Sequence, residues 1–304
     1  MRDKNINFIV NKCSLFLNYL WKIGIPTKKT YQLYHRIIIS MISEELKLAK
    51  ANMNSVQLIS EYFENKVWVM WWQGLESAPQ LVINNINNLR SIFGSDNVII
   101  ITHKNFENYT NIEPYLYKKL QNGDITFALW SDIVRYNLLL NNGGLWVDST
   151  VIISKLFLKY FNKNKKDPFI SLCNNEDDYR YISNNKWTGW LLGGKRNYEL
   201  FRFVVSFFNI YYKRHTNQID YFLVDDAVFF FYENDKSFKN LINNQLLEWD
   251  PYLFARNYTS SDIADIIDLF KKERQYSVQK FSNKINLTQP QNTLYSFLNR
   301  KKND

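Results

Sequence analysis

The sequence is poor in cysteine, in simple repeats and in long apolar runs. Its 304 residues include two cysteines, Cys13 and Cys173, which lie far apart and in no metal-ligand spacing. This suits a reducing compartment better than a disulfide scaffold, and we expect both to be ordinary buried thiols. No internal repeat or low-complexity segment is visible, and an aromatic share of 17% exceeds that of disordered chains. We therefore expect a globular protein.

The amino-terminal segment lacks the features of an export signal. Charges and amides interrupt every apolar run in residues 1–29, which leaves neither a signal-peptide core nor a membrane-spanning stretch. We expect a cytoplasmic protein, either free or peripheral on the inner face of the plasma membrane.

The net charge of +9 is not accompanied by a nucleic-acid-binding pattern. Lysine pairs are scattered, at 28–29, 165–166 and 271–272, and no long basic stripe or recognisable motif occurs. We expect no nucleic-acid partner. The charge suits an anionic membrane surface, an anionic acceptor or the phosphates of a nucleotide, and by itself does not choose among them.

Residues 1–65 predict an amphipathic helical extension ahead of the main domain, which we assign to residues 66–304. Apolar residues such as Ile37, Met41 and Leu48 recur at helical spacing among Lys and Glu. Such a face either packs on the main domain, which we favour, or docks on a membrane, because both produce the same periodicity.

From residue 67 the pattern changes to that of an α/β domain. Apolar runs at 67–72 and 97–102 flank a helical stretch over 79–92, which is the order of a βαβ unit with a parallel sheet. Pro79 suits a first helical turn, and Gly94 suits a helix terminator.

The segment 124–153 predicts a strand, a helix, a glycine turn and two further strands. Ser131 or Asp132 would open the helix, and Gly143 with Gly144 would end it in conformations that other residues resist.

Asp148 follows the predicted strand LWV and lies at the strand's carboxyl end, where open α/β sheets bind ligands. A carboxylate there can accept hydrogen bonds from ribose hydroxyls or hold a divalent cation. A turn-capping role beside Ser149 and Thr150 explains the same spacing equally well.

Asp132 and Arg135 are three residues apart on the predicted helix, so that their side chains emerge on one face. They form either a solvated ion pair worth under about 1 kcal/mol or a site in which Arg135 addresses sugar oxygens or phosphate while Asp132 accepts from sugar hydroxyls.

The apolar stretch 220–232 predicts a helix interrupted by Asp225 and Asp226. Because an unpaired buried carboxylate is costly, we expect one of the two to face a polar cleft. Four aromatic residues nearby form either core or a sugar-stacking acceptor wall: Tyr179, Tyr181, Trp187 and Trp190.

The runs WWQG, SDIVR, GGLWVDST and YFLVD together resemble the capsular polysaccharide synthesis glycosyltransferases. These are similar to the bacterial and yeast sugar transferases of family 32, which carry an Asp-x-Asp motif on a Rossmann-like GT-A fold. The resemblance covers about residues 65–290 and is most specific at SDIVR followed by GGLWVDST.

The resemblance implies a nucleotide-sugar donor, here a UDP-sugar. Trp72 corresponds to an aromatic that stacks on the base, and Gly74 to a glycine that lets backbone approach it. Asp132 and Arg135 match an SDxxR motif that contacts the sugar and ribose. Asp225, in YFLVD, is placed near the reacting centre or the acceptor hydroxyl, and a helix-cap or ion-paired role explains its position nearly as well.

Asp148 and Thr150 match the motif positions that coordinate Mn²⁺ or Mg²⁺. Threonine is a poorer ligand than the usual second carboxylate, which makes the metal site weak and increases the need for fixed cations. Lys280 and Lys284 resemble a basic carboxyl-terminal element that closes over diphosphate, although solvated surface lysines have the same spacing.

We therefore predict transfer of a sugar from a nucleotide sugar to a glycan or lipid-linked acceptor, with retention and without an enzyme nucleophile. Two alternatives stay open: a non-catalytic nucleotide- or glycan-binding scaffold on the same fold, and a toxin-like transferase that glycosylates a protein.

Overall fold

Short apolar runs of the chain form the strands. The computed structural model describes residues 2–54, 58–282 and 292–300. β-branched and aromatic side chains, which suit a pleated surface, dominate most of the strands. In chain order the strands are β1 (Val67–Met70), β2 (Val98–Ile101), β3 (Gly144–Val147), β4 (Val151–Ile153), β5 (Phe169–Ser171), β6 (Leu191–Gly194) and β7 (Val278–Lys280).

Five strands form one sheet in the order β2-β1-β3-β6-β5. β1 is parallel to β2 and β3, whereas β6 is antiparallel to β3 and β5, so four of the five strands point the same way. β4 and β7 form a separate antiparallel pair in which Val151 lies opposite Lys280. The expected α/β class is confirmed, and the sheet is compatible with a Rossmann-like fold.

The helices of the first half of the chain are α1 (Arg2–Lys22), α2 (Lys28–Met41), α3 (Ser43–Ala51), α4 (Gln80–Phe93), α5 (Pro114–Gln121), α6 (Phe127–Asn142) and α7 (Lys155–Asn164). The second half contributes α8 (Glu199–Arg214), α9 (Leu223–Asn234), α10 (Lys236–Asn244), α11 (Leu253–Arg256), α12 (Ile263–Lys272) and α13 (Leu294–Asn299).

The predicted βαβ unit is confirmed, with small shifts of its ends. α4 connects β1 and β2, and both strands are shorter than the apolar runs. Pro79 is the N-cap of α4, where its missing N–H removes no helical hydrogen bond. Gly94 ends the helix with a φ of 88°, as expected for a residue that tolerates left-handed backbone.

The segment 124–153 begins with a helix, and the predicted strand at its start is wrong. The Thr126 side chain accepts a hydrogen bond from the Leu129 N–H at 3.2 Å and caps α6. Neither Ser131 nor Asp132 therefore opens the helix. The error has a physical reason: a short apolar run fits a strand and a helical turn equally well, and periodicity does not separate them.

Two consecutive glycines return the chain from α6 to the sheet, as predicted. Gly143 has a φ of 66° and Gly144 a φ of 96°. A Cβ on Gly144 would lie 2.5 Å from the Lys66 carbonyl oxygen. That oxygen accepts a hydrogen bond from the Leu145 N–H at 2.8 Å, which aligns β3 beside β1. The turn thus requires glycine for close approach as well as for its dihedral angle.

The sheet separates two apolar layers by the alternation of its side chains. Trp68 and Trp146 face the layer that contains α6, α8 and α9. Val67 and Leu145 face the opposite layer with α4 and α7. The central strands are buried on both faces, which holds their carboxyl ends in fixed positions.

The N-terminal helices α2 and α3 share the core of the main domain. Ile38 and Leu46 belong to the same apolar cluster as residues of α8 and α9. The favoured packed layer is present, but the expected face is wrong, since Ile37, Met41 and Leu48 are exposed. Apolar residues in this segment occupy more than one helical face, so the spacing alone did not show which face is buried. The domain boundary at residue 66 stays a prediction.

Other sequence expectations have mixed outcomes. None of the helices in the described parts of the chain is long and apolar enough to cross a membrane. Cys173 is buried as expected. Cys13 is exposed on α1, so the expectation of a buried thiol is wrong there.

We predict that Gly144→Ala lowers the free energy of unfolding by about 3 kcal/mol, because it adds a backbone clash to an unfavourable positive φ. Gly123→Ala is the matched control: Gly123 has a φ of 75° and open space around its missing Cβ. That variant should cost about 1 kcal/mol. Urea titration measures both, and equal losses would contradict close approach as the cause.

Candidate active site

Four of the predicted site residues meet at the carboxyl end of the parallel strands. Asp148 directly follows β3 and lines a cavity of about 950 Å³. Asp132, Arg135 and Asp225 line the same cavity. The fold therefore joins side chains from α6, from the end of β3 and from α9 in one concave surface, which is the usual form of a small-molecule site.

A guanidinium joins two carboxylates at the floor of this cavity. Arg135 donates from Nη1 to Asp132 Oδ1 at 2.5 Å and from Nη2 to Asp148 Oδ1 at 3.3 Å. Only 7% of the Arg135 side chain is exposed, which excludes the solvated surface pair that the spacing allowed. Burial alone would lower the pKa of Arg135, but the two carboxylates outweigh burial and raise it. The guanidinium stays charged.

Two residues that we did not predict hold this network in place. Trp146 donates from Nε1 to Asp148 Oδ1 at 2.8 Å, and its ring centre lies 4.8 Å from the Arg135 guanidinium carbon. A Cβ on Gly189 would lie 3.2 Å from Arg135 Nη1. Trp146 had a signal in the sequence, because residues two apart along a strand share a face. Gly189 precedes β6 in a loop and had none.

Lys280, which lies 132 residues further along the chain, contacts the same Asp148 carboxylate. Its Nζ donates to Asp148 Oδ2 at 2.7 Å and to Thr150 Oγ1 at 2.8 Å. Burial would raise the pKa of Asp148, but Lys280 and Arg135 outweigh it and hold the pKa below its usual value. Lys280 is the last residue of β7, and Lys284 lies outside the described residues.

The residues assigned to a metal do not fit a divalent cation. The Lys280 ammonium contacts the side-chain oxygens of both Asp148 and Thr150. Across residues 2–54, 58–282 and 292–300, no group of three or more His, Cys, Asp or Glu side chains is arranged to hold a metal ion. A nucleotide-bound Mg²⁺ takes one or two carboxylates together with waters and phosphate oxygens, and the one carboxylate of this pair is already bound by the Lys280 ammonium.

Asp225 lies in the first turn of α9 and faces the cavity. Trp187 donates from Nε1 to Asp225 Oδ1 at 2.8 Å. Burial raises the pKa of Asp225 to about 7, against the Trp187 hydrogen bond and with a contribution from Asp132. Asp226 is buried and does not line the cavity. The prediction that one of the pair faces a polar cleft is confirmed, and the role of Asp225 stays a prediction.

Asp132 also titrates near neutral pH. Burial raises its pKa to about 6, opposed by Arg135 and assisted by the charge of Asp148. Among the three carboxylates of the floor, Asp148 is thus the strongly ionised one, while Asp132 and Asp225 can take up a proton close to pH 7. Such divergent values within one cleft are typical of functional sites.

Trp72 and Gly74 lie beyond the carboxyl end of β1, at the same edge of the sheet as Asp148. Trp72 is half-buried, with the ring centres of Phe106 and Trp130 at 5.1 and 5.6 Å. Neither Trp72 nor Gly74 lines the cavity. Their contact with a nucleotide base stays a prediction.

The part of the cavity wall away from Asp148 and Arg135 in sequence contains aromatic and acidic side chains. Of the four aromatic residues suggested for an acceptor wall, Tyr181, Trp187 and Trp190 line the cavity and Tyr179 does not. Residues 248–252, which no motif marked, complete the wall and include Trp249, Asp250 and Tyr252. Flat rings beside carboxylates suit sugar rings, which present both C–H faces and hydroxyl donors.

Comparison with known proteins gives one match. The family model described as capsular polysaccharide synthesis protein matches residues 19–300. No curated protein and no solved structure matches the chain. The matched range contains every residue of the floor described above.

We predict that Asp225→Asn changes the pH dependence of stability. A carboxyl whose pKa is raised by folding stabilises the native state fully below about pH 4, and this contribution is lost as the pH rises through about 7. The wild type should therefore lose about 1.4 kcal/mol of unfolding free energy relative to the variant for each unit of the shift.

Urea titrations at several values between about pH 4 and 8 measure this difference. Asp268→Asn, at an exposed position on α12, is the control. A difference between wild type and Asp225→Asn that is constant over this range would contradict the prediction.

Proposed function

The chain belongs to the capsular polysaccharide synthesis family, and from this premise we propose that it is a GT-A type glycosyltransferase. The donor is a nucleotide sugar, which we take to be a UDP-sugar. The acceptor is a glycan or a lipid-linked glycan, and the product enters capsular or surface polysaccharide. Family membership supports the role in capsule synthesis.

The observation that carries this proposal is the floor of the cavity. Arg135 and three carboxylates line it at the carboxyl ends of parallel strands, and a second cation, Lys280, contacts one of these carboxylates, Asp148. Glycosyl transfer from a nucleotide sugar needs this combination: positive charge for the departing diphosphate and acceptors for the hydroxyls of ribose and sugar. A cavity of about 950 Å³ has room for a nucleotide sugar with part of an acceptor.

Arg135 and Asp132 act on the donor in this proposal. The guanidinium, fixed between two carboxylates and the Trp146 ring, donates to sugar or phosphate oxygens with an orientation that it already has in the free protein. Asp132 accepts from a sugar hydroxyl. Asp148 accepts from the ribose and holds the two cations in place.

Asp225 acts on the acceptor. Its carboxylate accepts a hydrogen bond from the acceptor hydroxyl, whose oxygen bonds to the anomeric carbon as the bond from that carbon to the phosphate oxygen breaks. The bonding electrons leave with the diphosphate, and the hydroxyl proton passes to the Asp225 carboxylate. A pKa of about 7 makes Asp225 a competent proton acceptor near neutral pH. The reaction proceeds with retention and needs no covalent enzyme intermediate.

Two other functions share the fold. Two features favour a scaffold that binds a nucleotide or glycan without catalysis: Thr150 replaces the second carboxylate, and Lys280 contacts the two oxygens expected to bind a metal. A toxin-like protein glycosyltransferase would use the same floor with a protein acceptor. Turnover of the donor would distinguish an enzyme from the scaffold. The identity of the acceptor, a glycan or a protein, would distinguish a capsule transferase from the toxin-like enzyme.

We predict that the chain binds UDP and slowly hydrolyses a UDP-sugar when no acceptor is present. Asp148→Ala should reduce the rate of UDP release by at least about 100-fold, because it removes the group that holds Arg135 and Lys280. Thermal shift with UDP, GDP, CDP and CMP identifies the nucleotide, and a coupled assay measures release from the matching sugar nucleotides.

Asp268→Ala is the control, since this exposed aspartate on α12 pairs with Lys272 and does not line the cavity. Nucleotide binding without any donor turnover would favour the scaffold. Turnover that Asp148→Ala leaves unchanged would contradict the assigned site.

A further inference from the structure

We propose that the Lys280 ammonium takes the place of a divalent metal and is the fixed cation for the donor's diphosphate. The inference rests on the proposed nucleotide-sugar donor and names the group that balances its charge. A departing diphosphate gains negative charge, which either a metal ion or a preorganised cation can stabilise. The structure assigns the second solution to this chain.

The position of Lys280 is the first ground for this. Its Nζ lies 2.7 Å from Asp148 Oδ2 and 2.8 Å from Thr150 Oγ1, which are the oxygens that an Asp-x-Asp site would offer to a metal. A metal ion bound to both would lie next to the ammonium, where two like charges repel. Threonine, a poor metal ligand, is a good hydrogen-bond acceptor for an ammonium.

The backbone holds Lys280 in register. β7 pairs with β4, so that Lys280 lies opposite Val151. The Lys280 N–H donates to the Pro251 carbonyl, and the Phe281 N–H donates to the Thr150 carbonyl, each at 2.8 Å. The ammonium therefore belongs to a paired strand, and a cation held in this way needs little reorganisation during the reaction.

The ammonium also has capacity for a ligand. A lysine ammonium has three N–H donors, and two are directed at Asp148 and Thr150. The Lys280 side chain is 21% exposed, and its Nζ lies 5.9 Å from the ring centre of Trp190, a residue of the cavity wall. The third donor is left for a phosphate oxygen of a ligand that reaches Asp148, which lines the cavity.

Calorimetric titration in EDTA tests the inference with UDP, GDP and CDP as probes and uridine as the phosphate-free reference. The wild type should bind UDP in EDTA, and excess Mn²⁺ should change its affinity by less than about threefold. Lys280→Met should weaken UDP binding by about tenfold or more while uridine binding changes little. Lys280→Arg, which keeps the charge, should retain most of the affinity.

Lys271→Met, on the exposed side of α12, is the matched control. UDP binding that requires Mn²⁺, or that survives Lys280→Met unchanged in a variant with wild-type circular dichroism, would overturn this inference alone. Failure of all three nucleotides to bind with and without Mn²⁺ would overturn the proposed function, and this inference with it.

A second inference comes from the outer side of α1 and α2. We define the α1–α2 surface by its exposed large apolar side chains, which are Phe8, Ile9, Leu15, Phe16, Tyr19, Trp21, Ile23, Ile25, Leu33, Ile37 and Met41. More than half of the exposed large apolar side chains in the described residues lie in this short part of the chain. A patch of this density marks an interaction site.

The charge of this segment identifies the partner. Residues 8–43 contain no Asp or Glu, and their five basic residues are all exposed: Lys12, Lys22, Lys28, Lys29 and Arg36. Exposed apolar side chains among basic residues without any acid suit an anionic lipid bilayer, which takes the apolar groups and attracts the charges. We infer that the α1–α2 surface docks on such a bilayer.

The same helices support the wall of the cavity. The Arg180 guanidinium carbon lies 3.8 Å from the ring centre of Trp21, and Lys28 Nζ lies 3.5 Å from Asp177 Oδ2. Arg180 and its neighbours Asp178 and Tyr181 line the cavity. One short segment therefore contacts α1 and α2 and lines the cavity, so that a bilayer on these helices would lie near the proposed acceptor side.

Sedimentation with vesicles tests this surface. The chain should pellet with vesicles of equal parts phosphatidylglycerol and phosphatidylcholine, and much less with pure phosphatidylcholine. The double variant Leu15→Ser with Phe16→Ser should reduce the bound fraction at least about fivefold. Leu58→Ser with Tyr62→Ser, also exposed but outside the surface, is the control.

Equal binding to both kinds of vesicle would overturn the anionic preference. Absence of vesicle binding, or self-association in gel filtration that the Leu15 and Phe16 substitutions abolish, would overturn the membrane assignment in favour of no partner or a second copy of the chain.

Discussion

The carboxylate of Asp148 is the group on which the site depends. It accepts hydrogen bonds from Trp146, Arg135 and Lys280, and so connects β3, α6 and β7 at one point. A carboxylate placed in a protein interior without such partners would be costly. Each partner donates a hydrogen bond to the carboxylate, and the carboxylate fixes the position of each partner. Loss of either cation leaves a charge unbalanced near the core.

The electrostatics of the floor follow from this arrangement. Lys280 and Arg135 hold Asp148 ionised, whereas burial raises the pKa values of Asp132 and Asp225 into the neutral range. Two fixed cations thus face only one strongly ionised carboxylate. That balance suits an anionic ligand, and it leaves two carboxyl groups able to exchange protons with hydroxyls at physiological pH.

Local patterns in the sequence predicted much of the fold and part of the site. The βαβ unit, the glycine turn and the position of Asp148 all follow from short-range rules of capping, backbone freedom and strand burial. The start of α6 and the buried face of α2 do not follow from such rules, because tertiary packing decides between equally apolar alternatives.

In the site, the pairing of Asp132 with Arg135 followed from helical spacing. The contact of Lys280 with Thr150 is a product of strand pairing across the chain, and no local pattern encodes it. Gly189 and residues 248–252 reach the cavity through loops, whose paths depend on the elements that they connect.

The pairing of β4 with β7 has a consequence for the order of events in folding. The Lys280 ammonium comes from β7, while Asp148, the carboxylate that it binds, follows β3. We expect contacts between residues so distant in sequence to form late, since a long loop must close first. A partly folded chain would then hold the βαβ layer without the cation beside Asp148, and the site would be complete only in the native structure.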